Sequence, residues 1–144
     1  MARTVAGNLP VGFRYTPGLG NGAFFEALRA SGALLGSRCE TCGVTYLPAR
    51  IFCERCLAEL APGVECGPEG ELVSWTRGHV DLDDAPLTEP VTIGLARLDG
   101  ADTVLMHRML GDAQPRIGQR VRVEVRGPSE RTGSMLDIEG FRPA

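Results

Sequence analysis

Alternation of apolar and polar residues dominates the second half of the chain, and this pattern predicts half-buried β-strands. It is clearest from Arg120 to Arg126, where three valines alternate with arginine and glutamate. The other strand-like stretches run from Leu72 to Val80, Val91 to Leu98, Thr103 to Leu110 and Met135 to Phe141. Turn-forming pairs separate the strands at Asp83-Asp84, Asp99-Gly100, Ile117-Gly118 and Gly127-Pro128. Five strands in about 75 residues predict a small closed barrel.

The stretch from Gly111 to Pro115 separates the third and fourth predicted strands. An OB-fold has a helix or an equivalent loop at this point, so the strand order favours a C-terminal OB-fold barrel. Within the last strand we expect Leu136 and Ile138 to face inward. We place this domain at residues 67–144.

The start of the chain shows no clean period. Residues 1–20 contain repeated glycine and proline, which predicts an extended arm. Phe13 and Tyr15 are apolar side chains on this arm that could dock on the body of the protein or on a partner. A mobile terminus is an equally good interpretation of the same residues.

A short helix is predicted from Gly22 to Ser31, with Asn21 as its N-cap and Gly32 as its stop. Phe24 and Leu28 fall on one face of this helix. Because so short a helix is not stable alone, it must pack on something else. The sequence leaves two possibilities open, the following segment of the same chain and another subunit.

Four cysteines form the most specific motif in the chain. Cys39 and Cys42 make one Cys-x-x-Cys pair, and Cys53 and Cys56 make a second. The residues between the pairs, Gly43 to Phe52, are enough for two short strands and a turn. A hairpin would place the four sulfurs at the corners of a tetrahedron, which predicts one structural Zn²⁺ per chain. Thiolate tetrads also hold iron, so a redox iron site stays open.

The stretch from Leu57 to Gly70 is rich in proline and glycine, which predicts a linker. Cys66 lies within it without a partner thiol at knuckle spacing, so we interpret it as a free thiol and not as a ligand. The predicted fold class is therefore mainly β. An N-terminal arm and short helix occupy residues 1–36, and a rubredoxin-like zinc ribbon with its linker occupies residues 37–66, before the C-terminal OB-fold barrel.

Composition narrows the classes of function. The chain has 144 residues, a formal net charge of −3 and no lysine, since all fifteen basic residues are arginine. Lysine-based Schiff-base chemistry and a phosphate-loop lysine are thereby excluded. An acidic balance also argues against a general nucleic-acid binder. With no apolar run of about 20 residues, no secretion signal and metal-type cysteine spacing, we expect a cytoplasmic protein.

Catalytic residues are not evident in the sequence. His79 and His107 fall in the first and third predicted strands, and Ser74 and Asp81 lie near the first of them. A hydrolytic triad could be drawn from these side chains, but no nucleophile-elbow sequence supports one. We therefore expect ordinary surface or core histidines and assign no catalytic residue.

The order of the motifs resembles a known family, the acyl-CoA-associated zinc-ribbon plus OB-fold proteins, formerly a domain of unknown function. The resemblance covers about residues 22 to 142. The segments that carry it are Phe24-Phe25-Glu26-Ala27-Leu28, Leu34-Leu35, Cys39-Glu-Thr-Cys42-Gly43, Tyr46-Leu47-Pro48-Ala49-Arg50, Cys53-Glu-Arg-Cys56, Gly70-Glu71-Leu72-Val73 and Ile117-Gly118-Gln119-Arg120-Val121.

The resemblance implies an accessory role. Such proteins are small subunits of thiolase-type enzymes and of steroid side-chain-degrading hydratase and aldolase complexes, within lipid or aromatic degradation. It implies a non-catalytic, zinc-binding subunit that complexes with a thiolase-like acyl-CoA enzyme and helps shape its CoA-thioester site. The residues carried over are limited to the metal ligands Cys39, Cys42, Cys53 and Cys56. No residue that contacts CoA can be named from the family pattern.

Two further hypotheses accompany this one. Ribbons and OB-folds also bind single-stranded nucleic acid, which is the alternative function. Several arginines lie close together near the fourth strand and could bind CoA phosphates, since guanidinium groups suit phosphate. They are Arg116, Arg120, Arg122, Arg126 and Arg131. A solvated face paired with Glu124 and Glu130 is the interpretation that we favour.

Overall fold

The computed structural model describes Gly12, residues 15–81 and residues 83–144. One helix and eight strands make up its regular structure. In chain order they are α1 (Gly18–Ser31), β1 (Leu34–Arg38), β2 (Thr45–Tyr46), β3 (Pro62–Cys66), β4 (Glu69–Val80), β5 (Pro86–Leu98), β6 (Leu105–Arg108), β7 (Arg120–Val125) and β8 (Ile138–Pro143). Two 3₁₀ turns, Pro128–Glu130 and Met135–Asp137, lie between β7 and β8. The predicted mainly-β class with an N-terminal helix is confirmed.

The strands form two antiparallel sheets. The first has the order β2-β1-β3 and the second has the order β6-β5-β4-β7-β8. The edge strands of the second sheet approach each other through a parallel bridge between Met109 and Phe141, where the Leu110 N–H donates to the Phe141 carbonyl at 2.7 Å. The hydrogen-bonded ladder is not continuous around this seam, so the expectation of a fully closed barrel is wrong. A loop occupies Gly111 to Pro115.

One hydrophobic core joins the helix to both sheets. Phe24 and Leu28 of α1 are fully buried. They belong to a cluster with Leu34, Leu47, Cys66, Leu72, Ala96, Leu98, Ala101, Leu105, Val121, Val123, Ile138 and Phe141. The helix therefore packs on its own chain, which is the first of the two possibilities that the sequence left open; a contact of the helix with another subunit stays a prediction. Val121 and Val123 face this core as the alternation predicted.

The helix begins earlier than predicted. It starts at Gly18, so Asn21 lies inside the helix and is not its N-cap. A Cβ atom at Gly20 would lie 2.6 Å from the Ala49 carbonyl oxygen, so glycine lets this turn pack against the backbone of the ribbon. Gly32 ends the helix as predicted, with φ of 81°.

Two other expectations are corrected. The predicted linker from Leu57 to Gly70 contains β3, which pairs with β1 and extends the first sheet. Leu136 is 72% exposed because it lies in a 3₁₀ turn and not in a strand, whereas Ile138 faces inward. Tyr15 is exposed. Phe13 lies outside the described residues.

Polar contacts attach the first sheet to the second. The Asp102 carboxylate accepts the Thr45 N–H at 2.8 Å, and the Asp102 N–H donates to the Thr45 carbonyl at 2.9 Å. The Thr103 hydroxyl accepts the Leu47 N–H at 2.8 Å and lies 3.0 Å from the Leu47 carbonyl, to which it donates. The loop after β5 thereby holds the edge strand β2 in a fixed register.

The one α-helix that the structure describes, α1, is not long and apolar enough to cross a bilayer.

The predicted domain boundaries, at residue 36 between the helix and the ribbon and at residue 66 between the linker and the OB-fold domain, stay predictions.

A buried carboxylate organises the turn before β8. Asp137 is fully buried and accepts the backbone N–H groups of Thr132, Gly133 and Ser134. Burial acts to raise the pKa of Asp137, but these hydrogen bonds together outweigh it and hold the pKa below its ordinary value. The ionised side chain is therefore part of the folded structure at neutral pH.

We expect Asp137→Asn to lower the free energy of unfolding by about 2–4 kcal/mol at pH 7, because charge-assisted hydrogen bonds to buried N–H groups are lost. Because the folded pKa lies below the unfolded pKa of about 3.9, the stabilisation is present above that pH and is lost as the pH falls through the folded value. Denaturant unfolding of both proteins between neutral and acid pH measures this difference. The exposed control Asp112→Asn should change stability little, and equal stability of Asp137→Asn and wild type would contradict the assignment.

Candidate metal centre

The first Cys-x-x-Cys forms a tight knuckle directly after β1. The Cys39 N–H donates to the Val44 carbonyl at 2.8 Å, and the Gly43 N–H donates to the Cys39 carbonyl at 2.7 Å. The Cys42 N–H points at the Cys39 sulfur at 3.4 Å. Gly43 has φ of 69°, which is the left-handed conformation that glycine adopts without strain.

The second Cys-x-x-Cys repeats this geometry. The Cys53 N–H donates to the Ala58 carbonyl and the Leu57 N–H donates to the Cys53 carbonyl, both at 2.9 Å. Leu57 occupies the position of Gly43 and has φ of 61°. A left-handed residue with a side chain costs about 1–2 kcal/mol relative to an ordinary conformation, so this knuckle is strained.

The fold brings together all four cysteines that the sequence singled out. The sulfurs of Cys39, Cys42, Cys53 and Cys56 lie within 4.8 Å of one another. Cys39 Sγ and Cys56 Sγ are 3.6 Å apart, far beyond the roughly 2.05 Å of a disulfide bond. A tetrahedral Zn²⁺ with Zn–S bonds of about 2.3 Å requires sulfur–sulfur distances of about 3.8 Å. The cluster is therefore a candidate metal site whose donors fit a closed tetrahedral shell.

Tyr46 contacts the cysteine cluster, and this contact was not predicted from the sequence. Its hydroxyl lies 3.3 Å from Cys53 Sγ, and the ring is fully buried beneath the Arg50 guanidinium, 5.0 Å from the ring centroid. Its hydrogen bond lowers the pKa of Cys53 to about 6, and the same contact raises the pKa of Tyr46 to about 12. When Cys53 is a thiolate, the hydroxyl is the only one of the two groups with a proton to donate. The signal available in the sequence was a tyrosine among apolar strand residues, since a buried hydroxyl requires a partner.

The pKa of Cys42 has the opposite shift to that of Cys53. The hydrogen bond with Cys56, followed by burial, raises the pKa of Cys42 to about 12. Four ionised thiols at these distances repel one another, so a bound cation is what would allow all four to act as thiolate ligands. With four such ligands no position is left for water or substrate.

Cys66 lies apart from this cluster. It is buried on β3 against Gly36, where a Cβ atom would lie 3.2 Å from the Cys66 sulfur. Burial raises the pKa of the Cys66 thiol, so it has little thiolate character. Its assignment as a free thiol agrees with the structure.

The fold does not bring the two histidines together. His79 is exposed near the end of β4, whereas His107 is partly buried on β6 with its ring edge-on to Phe141, 6.2 Å between centroids. Gly78, the residue before His79, lies opposite Val91, and His107 lies opposite Gly94, so more than three positions of β5, or over about 10 Å, separate the two histidines. The Asp81 carboxylate accepts the N–H groups of Asp83 and Ala85, and among the described residues no hydrogen bond links it to Ser74 or to a histidine, so the triad that could be drawn from the sequence is not assembled.

The arginines near β7 form a surface ion-pair network. Arg120 contacts both Asp99 and Glu69, and Arg122 lies 3.2 Å from Glu69. The hydrogen bonds from Arg120 hold the pKa of Asp99 below its ordinary value. The solvated, paired face that we favoured is present at Arg120 and Arg122, but the predicted partners, Glu124 and Glu130, are wrong. The partners are Glu69 of β4 and Asp99 in the turn after β5, and Glu124 pairs with Arg142 at 3.4 Å.

Architecture and cysteine cluster define a class, the proteins with a zinc ribbon followed by an OB-fold. Residues 27–61 match the rubredoxin-like zinc ribbon domain of ChsH2, and residues 63–126 match the C-terminal OB-fold domain of ChsH2. The chain belongs to the family that these two domains define, as the resemblance in its motifs indicated. Among curated proteins, no sequence matches the chain significantly.

Solved structures share the fold over most of the chain. A protein of unknown function from the DUF35 family of Sulfolobus solfataricus has a TM-score of 0.61 and 24% identity, covering 84% of this chain and 81% of that one. A chain of the structure described as "Ltp2-ChsH2(DUF35) aldolase" has a TM-score of 0.64 and 23% identity, covering 90% of this chain and 98% of that one. At these identities the likeness shows the fold alone.

We expect Cys39→Ser to abolish stoichiometric metal binding, because three thiolates and a hydroxyl no longer make a closed sulfur shell. Elemental mass spectrometry of purified protein gives the metal content per chain. Cys66→Ser is the matched control, being a buried cysteine outside the cluster, and should keep one metal per chain. Loss of metal from both variants, or from neither, would contradict the assignment of the ligands.

Leu57→Gly should stabilise the ribbon by up to about 1 kcal/mol, because glycine removes the left-handed strain while the greater flexibility of the unfolded chain offsets part of it. The Leu57 side chain is 77% exposed, so little packing is lost. The reverse change at the equivalent position, Gly43→Ala, should destabilise the protein by about 1 kcal/mol, because alanine is strained in the left-handed conformation. Steric contact adds nothing to this, since a Cβ atom there would lie no nearer to a neighbour than 3.8 Å, from Arg38. Thermal unfolding measures both, and shifts of the same sign would contradict this account.

Proposed function

We propose that this chain is a non-catalytic, zinc-binding accessory subunit of a thiolase-like acyl-CoA enzyme, and that it helps to shape the CoA-thioester site of that enzyme. The observation that carries the proposal is the shared architecture with a chain of the "Ltp2-ChsH2(DUF35) aldolase", of which 98% is covered. That structure is described as an aldolase that combines two named components. By analogy, this chain contributes the ribbon and OB-fold component and its partner contributes the reacting groups. We place the complex in the cytoplasm.

The metal is proposed to be Zn²⁺ with a structural role. Four thiol groups with tetrahedral spacing suit this ion, and the closed shell leaves it no catalytic position. An ion in this site would connect two knuckles that lie 14 positions apart in the chain. Iron fits the same donor set, so metal identity distinguishes a structural subunit from an electron carrier.

The electrostatics disfavour the alternative function, binding of single-stranded nucleic acid. Such binding requires a positive groove with stacked aromatic side chains. OB-folds use the loop between their first two strands for oligonucleotides, and here that loop carries Asp81, Asp83 and Asp84. The net charge of −3 and the presence of a single tryptophan, Trp75, also argue against binding of nucleic acid.

The proposal is tested by purifying the tagged full-length chain from its native host and then reconstituting the complex from recombinant subunits. We expect a thiolase-like subunit to co-purify, CoA-thioester turnover to require both chains, and a colourless preparation with one zinc per chain. Calorimetry with CoA should show tighter binding by the complex than by either chain alone.

Turnover of a CoA thioester by this chain alone would contradict the accessory role. So would an unchanged affinity of the partner for CoA when this chain is added. A salt-dependent shift of single-stranded DNA by the purified chain would support the alternative function instead.

A further inference from the structure

Strands β4 and β5 extend well past the sheet to which they belong. β7 pairs with β4 only at Glu69 to Glu71, and β6 pairs with β5 from Ile93 to Ala96. β4 and β5 continue to pair with each other as far as Val80 and Pro86. Residues 77–91 therefore form a two-stranded hairpin beside which the described part of the chain places no further strand, and we name it the hairpin arm.

The hairpin arm is almost entirely exposed. Among its described residues, Leu87 alone is partly buried, and the apolar side chains of Val80 and Val91 are 51% and 42% exposed. An isolated two-stranded hairpin is only marginally stable in water, and its unpaired edges are suited to contact another chain. An arm of this length without packing is therefore expected to gain its order from a partner.

The tip of the arm is a preformed acidic turn. The Asp81 carboxylate accepts the N–H groups of Asp83 and Ala85, both at 2.9 Å, which fixes the turn. No ion pair to Asp83 or Asp84 is formed by the residues that the structure describes, and both side chains are exposed. With Glu89, the arm carries four carboxylates against one guanidinium, that of Arg77. A partner surface that fits this tip is cationic.

An apolar groove continues from the base of the arm. Its volume is about 550 Å³. Its apolar lining comes from Val91, Ile93, Met106, Leu136 and Ile138, and its polar lining from His107, Arg108 and Arg126, so the acidic tip of the arm is the part of this surface that favours a cationic partner. Met106 is 63% exposed and Leu136 is 72% exposed, so the groove presents large apolar side chains to solvent. Val91 belongs to both arm and groove, which makes them one continuous surface.

We propose that the hairpin arm and this groove together form the surface on which the partner subunit docks, the partner supplying an apolar element for the groove and arginine or lysine side chains for the acidic tip. The inference rests on the proposed function and locates its interface on the OB-fold side of the molecule. The rival surface lies between α1 and the ribbon, where Leu19 and Phe52 line one pocket and are 78% and 50% exposed.

The test uses the full-length chain and the acyl-CoA enzyme subunit that co-purifies with it, with affinity measured by biolayer interferometry at several salt concentrations. We expect the double variant Asp83→Arg, Asp84→Arg to weaken binding at least roughly tenfold at low salt, because attraction becomes repulsion. Wild-type binding should weaken as salt increases, and binding by the double variant should not. Met106→Glu should weaken binding at every salt concentration.

The loop between β6 and β7 supplies two matched controls. Asp112→Arg reverses an exposed charge away from the arm, and Ile117→Glu places a charge at an apolar residue that is 69% exposed outside the groove. Both should bind within about twofold of wild type, a difference well under 1 kcal/mol. Hydrogen exchange of the wild-type complex gives a readout that needs no substitution, and the arm amides should be protected by the partner.

The outcomes separate this inference from the proposed function. If wild type binds the enzyme subunit while the arm and groove variants bind equally well, and Phe52→Glu alone weakens binding, the inference is wrong and the function stands. If wild type binds no such subunit, the function fails and the inference falls with it. Self-association of the chain through the arm, seen by analytical ultracentrifugation and lost in the double variant, would also overturn the inference.

Discussion

A small segment cannot bury enough apolar surface to hold itself together, and this constraint governs the ribbon. Its own apolar cluster consists of Val44, Tyr46 and Leu60 with two of the cysteines. Segments below about 40 residues generally need a metal or covalent links to fold. An ion bound by the four sulfurs would supply such a link, and the backbone hydrogen bonds of the two knuckles orient the sulfurs towards one another. The hydroxyl of Tyr46 adds a neutral donor that stabilises Cys53 as a thiolate.

The ribbon is in turn held by the second sheet. Asp102 and Thr103 fix the backbone of β2, while Leu34, Leu47 and Cys66 enter the core that the second sheet shares with α1. The metal cluster and the OB-fold are therefore joined through both polar contacts and packing. A perturbation of the cluster is expected to reach the second sheet through β2. The face of β5 and β6 that carries Val91 and Met106 is exposed.

The residues that stabilise the fold and the residues that are exposed to a possible partner lie in different parts of this molecule. Phe24, Asp137 and Phe141 are buried by contacts within the chain, and the arginines of β7 are paired with Asp99 and Glu69. Among the described residues, the β4–β5 hairpin and the apolar side chains of Val91 and Met106 at its base are exposed. This division fits the proposed accessory role, in which the chain presents a surface to its partner.

Local signals in the sequence determined much of this protein. The two Cys-x-x-Cys motifs predicted the cluster because each knuckle closes within six residues, and the valines of β7 predicted a buried strand face because alternation needs no distant partner. Gly32 likewise predicted the end of the helix. These features depend on neighbours along the chain, which a sequence displays directly.

Tertiary structure decided what depends on distant residues. Pro62 to Cys66 became a strand only by pairing with β1, and α1 extended to Gly18 because Gly20 packs on Ala49. The contact of Tyr46 with Cys53, the hold of Asp102 on Thr45 and the unsupported length of β4 and β5 have no periodic signature. Each of them is set by which elements meet in space, and proline, glycine and single polar residues give no sign of that in the sequence.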